Sequence, residues 1–160
     1  DFKVIDKVVD VINKFHPYDE PNYFISDSQV KSKDVGSGMV GERQIIFKKL
    51  LSELKEKFGC KSIKHTKIID EKINKIAVCG GSGNFLINDA IRKGADVFIT
   101  SDFKYHDFFE SNNKIILVDI GHYESEQFTK DLIFEFLNKN LFNIALHLTD
   151  ENTNPIKYFK

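Results

Sequence analysis

The sequence has few cysteines and almost no net charge, and each of these features excludes a class of protein. Two cysteines in 160 residues form neither a disulfide framework nor a zinc knuckle, so we expect Cys60 and Cys79 to be reduced, packed thiols. With 23 basic and 24 acidic residues the net charge is −1. No specific nucleic-acid partner is therefore expected, because such binding depends on neutralising phosphates.

Signals for membranes and for secretion are also missing from the sequence. No uninterrupted apolar run approaches the roughly 20 residues of a membrane-spanning helix. No basic-then-apolar leader opens the chain, so we expect a cytoplasmic protein with no membrane partner. The hydrophobic share of 41% and the charged share of 29% are ordinary for a globular domain.

The first part of the chain reads as the end of one folded unit followed by a linker. Apolar residues at helical spacing predict an amphipathic helix over residues 1–15. This helix should end at His16-Pro17, because the residue before a proline avoids helical angles. Residues 22–25 are predicted to form a short strand, and the polar residues 26–37 are the best candidate for a linker.

From residue 75 onward, predicted strands and helices alternate. The strands are predicted over residues 75–79, 96–100, 114–119 and 142–148. The helices between them are predicted over residues 85–93 and 104–111 and around Phe128, Leu132 and Phe136. This alternation predicts an α/β fold, a three-layer α/β/α lobe with a mainly parallel sheet.

The segment Gly36–Gly41 matches the pattern G-x-G-x-x-G. A dinucleotide-binding loop of that pattern needs an apolar strand directly before the first glycine. Residues 31–35 are polar instead, so a nicotinamide-binding domain is not favoured. We expect a flexible loop that runs into a helix carrying Ile46, Leu50, Leu54 and Phe58 and ending at Gly59.

Two histidine–carboxylate pairs follow neighbouring strands of the predicted sheet. Asp102 and His106 come after the second strand, and His122 and Glu126 come after the third. A spacing of four residues is about one helical turn, so each pair can point the same way. Imidazole nitrogen and carboxylate oxygen suit divalent first-row metals. Two such pairs at the carboxyl ends of one sheet therefore predict a metal site, although either histidine alone is more typical of a surface residue.

A glycine-rich turn follows the first strand of this region. Gly80, Gly81, Ser82 and Gly83 would let backbone N–H groups approach an anion at the start of a helix, so they are candidates for binding phosphate or substrate. The lysine of a P-loop is absent, and a tight strand-to-helix turn requires the same glycines without any ligand. Both interpretations remain open from the sequence.

The charges are distributed unevenly along the chain. Residues 41–75 hold ten basic and five acidic side chains, a net of +5, whereas residues 96–135 hold three and nine, a net of −6. The acidic excess coincides with the candidate ligands, where a bound cation would offset repulsion between carboxylates. We expect Glu124, Asp131 and Glu135 to be solvated helix residues that take no part in this site.

Five motifs follow one another along the chain: His16–Pro21, the glycine loop 36–41 with Glu42, Ala77–Gly83, Thr100–His106 and Asp119–Glu126. In this order they resemble the Nif-three-like proteins, which are widely described as GTP cyclohydrolase 1 type 2 homologues. The closing residues 152–159 resemble the C-terminus of that family, and the likeness covers essentially the whole chain. Met39 stands where arginine is frequent in the family, and Ser101 replaces a usual glycine.

The resemblance implies a second lobe of a larger protein. Family members have two α/β lobes around a cavity that holds two divalent metal ions, and many carry a small α+β domain inserted between the lobes. Residues 1–33 would then be the C-terminal end of the inserted domain with its linker, and residues 34–160 the second lobe. The N-terminal lobe, which supplies further ligands in the family, would be a missing partner, in keeping with a chain that begins at aspartate.

The resemblance also implies roles for individual residues. His122 and Glu126 match metal ligands of the second lobe, and the ions would be zinc, manganese, iron or magnesium in a site that this chain leaves incomplete. Asp102 and His106 match motif residues near the cavity, where they would contact substrate or relay a proton in catalysis. The family further implies a homo-oligomer, a hexamer, and a small-molecule substrate.

These observations favour one function and leave a second one open. The favoured function is a metal-dependent hydrolase acting on a phosphorylated or nucleotide-like small molecule. Nothing in the sequence selects GTP. The alternative is a non-catalytic regulatory or scaffold protein in which the metal has a structural role.

Overall fold

A computed structural model describes residues 2–18, 21–25 and 36–159 of the chain. The chain divides into two compact units, residues 1–35 and residues 36–160. Two short 3-10 helices lie at Asn84–Leu86 and Asp107–Ser111. The other elements, in chain order, are α1 Phe2–Phe15, β1 Met39–Ile46, α2 Phe47–Phe58, β2 Lys64–His65, β3 Lys72–Ser82, α3 Ile87–Arg92, β4 Val97–Ser101, β5 Ile116–Asp119, α4 His122–Glu126 and α5 Thr129–Asn140.

In the first unit, the predicted N-terminal helix is confirmed as α1, which ends at Phe15 just before His16-Pro17. The strand predicted over residues 22–25 is wrong, since these residues form no strand. A short segment becomes a strand only where a neighbouring strand shares its backbone hydrogen bonds. Most of the predicted linker, residues 26–35, lies outside the described residues.

The second unit is built on one five-stranded sheet with the strand order β1-β3-β4-β5-β2. Strands β3, β4 and β5 run parallel, with Val97 of β4 opposite Ile76 of β3 and Ile116 of β5. Strands β1 and β2 pair antiparallel with β3 and β5. The α/β prediction is confirmed, but the sheet is mixed rather than mainly parallel, because both added strands run against the central three.

The two faces of this sheet carry separate hydrophobic clusters. Alternate residues of each central strand point to opposite faces, so Val97 and Ile99 join one cluster while Phe98 joins the other. Helix α2 packs on the first face through Phe47, Leu50 and Leu54. Helix α3 packs on the second face. Helices on both faces of the sheet give the predicted three layers.

The central strands were predicted correctly and the flanking glycine loop was not. The strands predicted from residues 75, 96 and 114 are confirmed as β3, β4 and β5. The loop predicted at Gly36–Gly41 is wrong from Met39 onward, because these residues form β1 and pair with β3. Helix α2 begins only at Phe47. No helix N-terminus follows these glycines, so they lack the anion-binding geometry of a dinucleotide loop.

The last predicted strand, residues 142–148, is also wrong. These residues follow α5 without forming a strand. The positions beside the parallel strands are filled by other segments, since β2 pairs with β5 and β1 pairs with β3. Helix α5 itself is confirmed, but none of its residues is buried. Across the described parts of the chain, no helix is long and apolar enough to cross a membrane.

Candidate metal-binding site

The carboxyl ends of β4 and β5 place polar side chains next to one another. Thr100 of β4 lies opposite Asp119 of β5 in the parallel register. Asp102 follows β4 directly, and His122 follows β5 as the first residue of α4. Ligands of open α/β sheets bind beyond this end of the strands. Segments 20 residues apart in sequence therefore meet where a site is expected.

Three of the candidate side chains form one contact cluster. The Nδ1 atom of His122 lies 2.5 Å from Oδ2 of Asp102, and its Nε2 atom lies 3.1 Å from Oε2 of Glu126. Each side chain is about half exposed, at 47–49%. We call these residues the Asp102–His122–Glu126 cluster. It is a solvent-accessible group in which one imidazole bridges two carboxylates.

The two carboxylates favour the protonated form of the imidazole. The hydrogen bond with Asp102 is the main cause that raises the pKa of His122, and the negative charges of Asp102 and Glu126 add to it. Partial burial of the ring opposes the increase. Without a cation between its members, the cluster therefore attracts a proton to His122.

The backbone around the cluster adopts conformations that are costly for most residues. Asp102 has φ of 60°, in the left-handed region, and Gly121 has φ of 94°. Aspartate tolerates left-handed angles better than most residues, whereas the angles of Gly121 favour glycine. Such conformations persist only when the surrounding structure imposes them, and they concentrate at functional sites. Here they turn Asp102 and His122 towards each other.

Gly81 holds β3 against the same cluster. Its φ is 61°, and a Cβ atom at this position would collide with Oε1 of Glu126 and come within 3.4 Å of the His122 ring. Its N–H donates to Oγ of Ser125 at 2.9 Å, and its carbonyl accepts from Oγ1 of Thr100 at 2.9 Å. Close packing thus accounts for glycine at position 81, and phosphate binding by residues 80–83 stays a prediction.

His106 lies apart from the cluster in its contacts. Residues 102–106 are not helical, because the short 3-10 helix begins only at Asp107. The spacing of four residues therefore does not pair Asp102 with His106, and Asp102 contacts His122 instead. The exposed ring of His106 packs edge-on against Tyr105, with ring centroids 5.5 Å apart.

Two buried acidic residues near the cluster were missed or misread from the sequence. Glu124 is only 5% exposed, so the prediction that it is solvated is wrong. It occupies the third position of α4, where a glutamate can fold back over the helix start, and its carboxylate lies against Gly121. Asp119 is buried too, 2.8 Å from Nζ of Lys64. The position of Glu124 within its helix was the signal that could have revealed its burial.

The donor set contains a pair that suits one divalent ion and lacks a complete cage. Two donors bound about 2.1 Å from a metal at tetrahedral or octahedral angles lie roughly 3.0–3.4 Å apart. Nε2 of His122 and Oε2 of Glu126 are separated by 3.1 Å. Among the described residues, however, no group of three or more histidine, cysteine or acidic side chains could hold a metal ion. The two nitrogens of His122 face opposite ways, so Asp102 and Glu126 do not converge on one point.

The sequence matches one family model over most of its length. The family model described as Duf34/NIF3 (NGG1p interacting factor 3) matches residues 5–155. The chain therefore belongs to the Duf34/NIF3 family.

Similar sequences and structures come from bacteria. A protein named GTP cyclohydrolase 1 type 2 homolog from Staphylococcus aureus strain Mu50 is 30% identical over 153 residues, covering 92% of this chain and 42% of that protein. The Staphylococcus epidermidis protein of the same name, from strain RP62A, is 33% identical over 151 residues, with coverage of 89% and 40%. The crystal structure of a Bacillus cereus protein related to NIF3 matches with a TM-score of 0.67 and 27% identity, over 98% of this chain and 45% of that chain.

The chain thus spans about two fifths of the length of the curated relatives it matches. The similarity covers both of its compact units, since the family match runs from residue 5 to residue 155.

Proposed function

We propose that this protein is part of a centre for two divalent metal ions that hydrolyses a phosphorylated or nucleotide-like small molecule. His122 and Glu126 are the ligands that this chain contributes. The observation that carries the proposal is the 3.1 Å separation of Nε2 of His122 and Oε2 of Glu126, which matches the spacing of two donors on one ion. The names of the relatives, GTP cyclohydrolase 1 type 2 homologs, agree with chemistry on a nucleotide-like substrate.

Asp102 acts as a positioning residue in this proposal. Histidine ligands usually hydrogen-bond through the other ring nitrogen to a carboxylate, which fixes the tautomer and the ring orientation. Asp102 accepts such a bond from Nδ1 of His122 at 2.5 Å, leaving Nε2 directed towards Glu126. His106 remains a candidate for contact with substrate, through its exposed position after β4.

Divalent metals polarise phosphoryl and carbonyl oxygens and lower the pKa of water. Besides the two ligands, the chain contributes the residues that orient them. Gly81 and Ser125 fix α4 against β3 through the hydrogen bond from the Gly81 N–H to Ser125 Oγ. This bond and the bridging ring of His122 hold Glu126 beside the carboxyl end of β4, on a scaffold that keeps both proposed ligands in place.

An activity assay of the natural full-length protein tests the hydrolase proposal. A panel of phosphoesters and nucleotides, GTP included, is assayed with zinc, manganese, iron or magnesium. We expect turnover that Glu126→Gln abolishes, because the amide removes a charged ligand but keeps the shape. The matched control is Glu135→Gln on α5, which should leave turnover unchanged. Folded, metal-loaded protein that is silent across the panel contradicts the hydrolase.

The two ligands of this chain fall short of the four to six that these metals bind. We therefore expect the 160-residue chain alone to bind zinc or manganese weakly, with the remaining ligands supplied by an N-terminal lobe. Isothermal titration calorimetry measures this directly. Tight, stoichiometric binding by the chain alone contradicts this ligand count.

A second candidate function, a non-catalytic binding platform, is supported by the surface of α5. Leu132, Ile133 and Phe136 on this helix and Phe128 just before it are 47–67% exposed. Apolar surface of this kind marks association sites, so we propose that the protein forms a homo-oligomer. Analytical ultracentrifugation of the natural protein, compared with its Leu132→Asp and Phe136→Asp variants, tests assembly. A wild-type monomer contradicts it.

A further inference from the structure

A cavity lies beside helix α2 on one face of the sheet, and the proposed metal chemistry leaves it without a role. Its volume is about 510 Å³. Small-molecule pockets usually span roughly 300–1,000 Å³ and combine an apolar lining with a few polar groups. The size of this cavity alone therefore admits a compact organic molecule.

The lining of the cavity is mainly apolar. Leu54 of α2 and Ile76, Ile99 and Ile120 of the sheet region contribute side chains to it. Val78 of β3 also lines the cavity and is 40% exposed, although it lies in the middle of a long strand. Incomplete burial at this position leaves apolar surface available to a ligand, and covering such surface favours binding.

The cavity has a charged side, formed by Arg43, Glu53 and Lys57. The guanidinium of Arg43 contacts Glu53 at 2.7 Å. Arg43 is the main cause that lowers the pKa of Glu53, and Lys57 contributes to the same lowering, so both cations lie near this one carboxylate. Two positive charges against one negative charge leave a net positive charge on this side. An anionic group is complementary to it, whereas a cationic group is not.

Another part of the cavity lining is formed by residues that support the Asp102–His122–Glu126 cluster. Gly80 and Ser125 line the cavity. A Cβ atom on Gly80 would lie 3.8 Å from Cγ of Glu126. Ser125 Oγ donates to the carbonyl of His122 at 2.8 Å. A ligand in the cavity therefore contacts the backbone that positions the cluster.

We propose that this cavity is a binding site for a small organic anion, with an apolar ring or short chain against Val78 and Ile76 and the anionic group beside Lys57 and Arg43. The proposal concerns binding by the chain itself. It is independent of metal loading and of the hydrolase, so a failure of either does not decide the other.

Two probes with the same apolar body test it. The first is 8-anilinonaphthalene-1-sulfonate, and the second is N-phenyl-1-naphthylamine, which lacks the sulfonate. Both are titrated by fluorescence into the chain in the presence of EDTA. We expect Val78→Trp, which fills the cavity from its exposed side, to reduce the affinity for both probes about tenfold or more.

Charge reversal on the charged side of the cavity distinguishes the contribution of the anionic group to binding from that of the apolar body. Lys57→Glu should weaken binding of the sulfonate probe by about three- to tenfold, as expected for a partly exposed ion pair, and leave the neutral probe unchanged. Lys55→Glu is the matched control, because Lys55 is exposed on the same helix and lies outside the lining. If Lys57→Glu and Lys55→Glu weaken binding of the sulfonate probe equally, the charged side of the cavity does not bind the anionic group.

Chemical-shift mapping in the wild-type chain keeps the proposal testable if Val78→Trp does not fold. Amide resonances of Gly80, Ile120 and Ser125 should move on addition of the sulfonate probe. Shifts confined to α5, around Leu132 and Phe136, would show that the probe binds the exposed helix, and the proposal would then be wrong. Unaltered affinity in a folded Val78→Trp variant also overturns it.

Discussion

The centre of the sheet and the carboxyl end of its parallel strands, which we call the edge in the next paragraphs, are built in opposite ways from neighbouring residues. In the centre, Val97 and Ile116 are at most 1% exposed and lie side by side in register. At the edge, Asp102 and His122 are nearly half exposed and are polar. The backbone at the edge also departs from ordinary strand angles at Asp102 and Gly121. Burial in the centre thus holds the fold together, while the edge can keep polar groups in a geometry that packing alone does not favour.

The largest effect on stability is expected in the centre. Ile116→Ala removes buried apolar atoms and leaves a cavity among tightly packed neighbours, which should lower the free energy of unfolding by about 2–5 kcal/mol. Urea unfolding followed by circular dichroism measures the loss. A decrease below about 1 kcal/mol would mean that the centre is not the main source of stability.

Substitution of Gly81 tests the packing at the carboxyl end of the parallel strands. Gly81→Ala and Gly59→Ala both place alanine at a left-handed position, so each should lose about 1–2 kcal/mol in the free energy of unfolding. Only at Gly81 does the added methyl group meet Glu126, since nothing lies within 4 Å of the corresponding atom at Gly59. Gly81→Ala should therefore also shift the NMR resonances of His122 and Glu126. Identical spectra for the two variants would contradict the described contact.

The charge of Asp102 is expected to favour the protonated form of His122. Asp102→Asn should lower the pKa of His122, since the hydrogen bond with Asp102 is the main cause of its increase. A raised pKa in the folded state stabilises the fold below the pKa of the unfolded chain, and this stabilisation disappears as the pH rises through the folded value. The variant should show a weaker dependence of its free energy of unfolding on pH, because Glu126 still raises the pKa of His122.

An NMR titration of the metal-free chain in EDTA measures the pKa of His122 in both proteins. Glu135→Gln is the matched control, because Glu135 is not among the groups that shift His122. If the pKa of His122 is the same in the wild-type chain and in Asp102→Asn, the two side chains do not interact in solution.

The smallest effect is expected on α5. Leu132 is 67% exposed, so Leu132→Ala should change the free energy of unfolding by no more than about 0.5 kcal/mol when the chain is monomeric. Urea unfolding at low protein concentration checks this. A loss comparable to that of Ile116→Ala would show that α5 is buried against other parts of the protein in solution.

The sequence was sufficient for elements whose pattern and burial agree. Residues 116–118 and 97–99 are continuous apolar runs, and they form buried strands. Strand β1 was missed because its residues are almost all exposed and include Gly41, so its hydrogen bonds with β3 leave no pattern in the sequence. Residues 142–148 were misassigned for the converse reason, because an apolar run becomes a strand only where another strand pairs with it, and these residues join no strand of the sheet.

The geometry of the site was predictable only where it is local. The spacing of His122 and Glu126 within one helix brought them together as the pattern indicated. The contact between Asp102 and His122 depends on the parallel register of β4 and β5, which places distant segments side by side. The packing of Gly81 on Glu126 likewise depends on how β3 and α4 meet, and no spacing along the chain encodes that.

The outer side of β1 has a consequence for how the protein behaves at high concentration. No strand of the described residues pairs with that side, so its backbone groups are open to another chain. Glu42 and Arg43 put charges in the middle of the strand, and the register with β3 is interrupted between Glu42 and Ile45. Charges and irregularities of this kind keep exposed strands from recruiting further strands, so they protect the folded protein against aggregation through this edge.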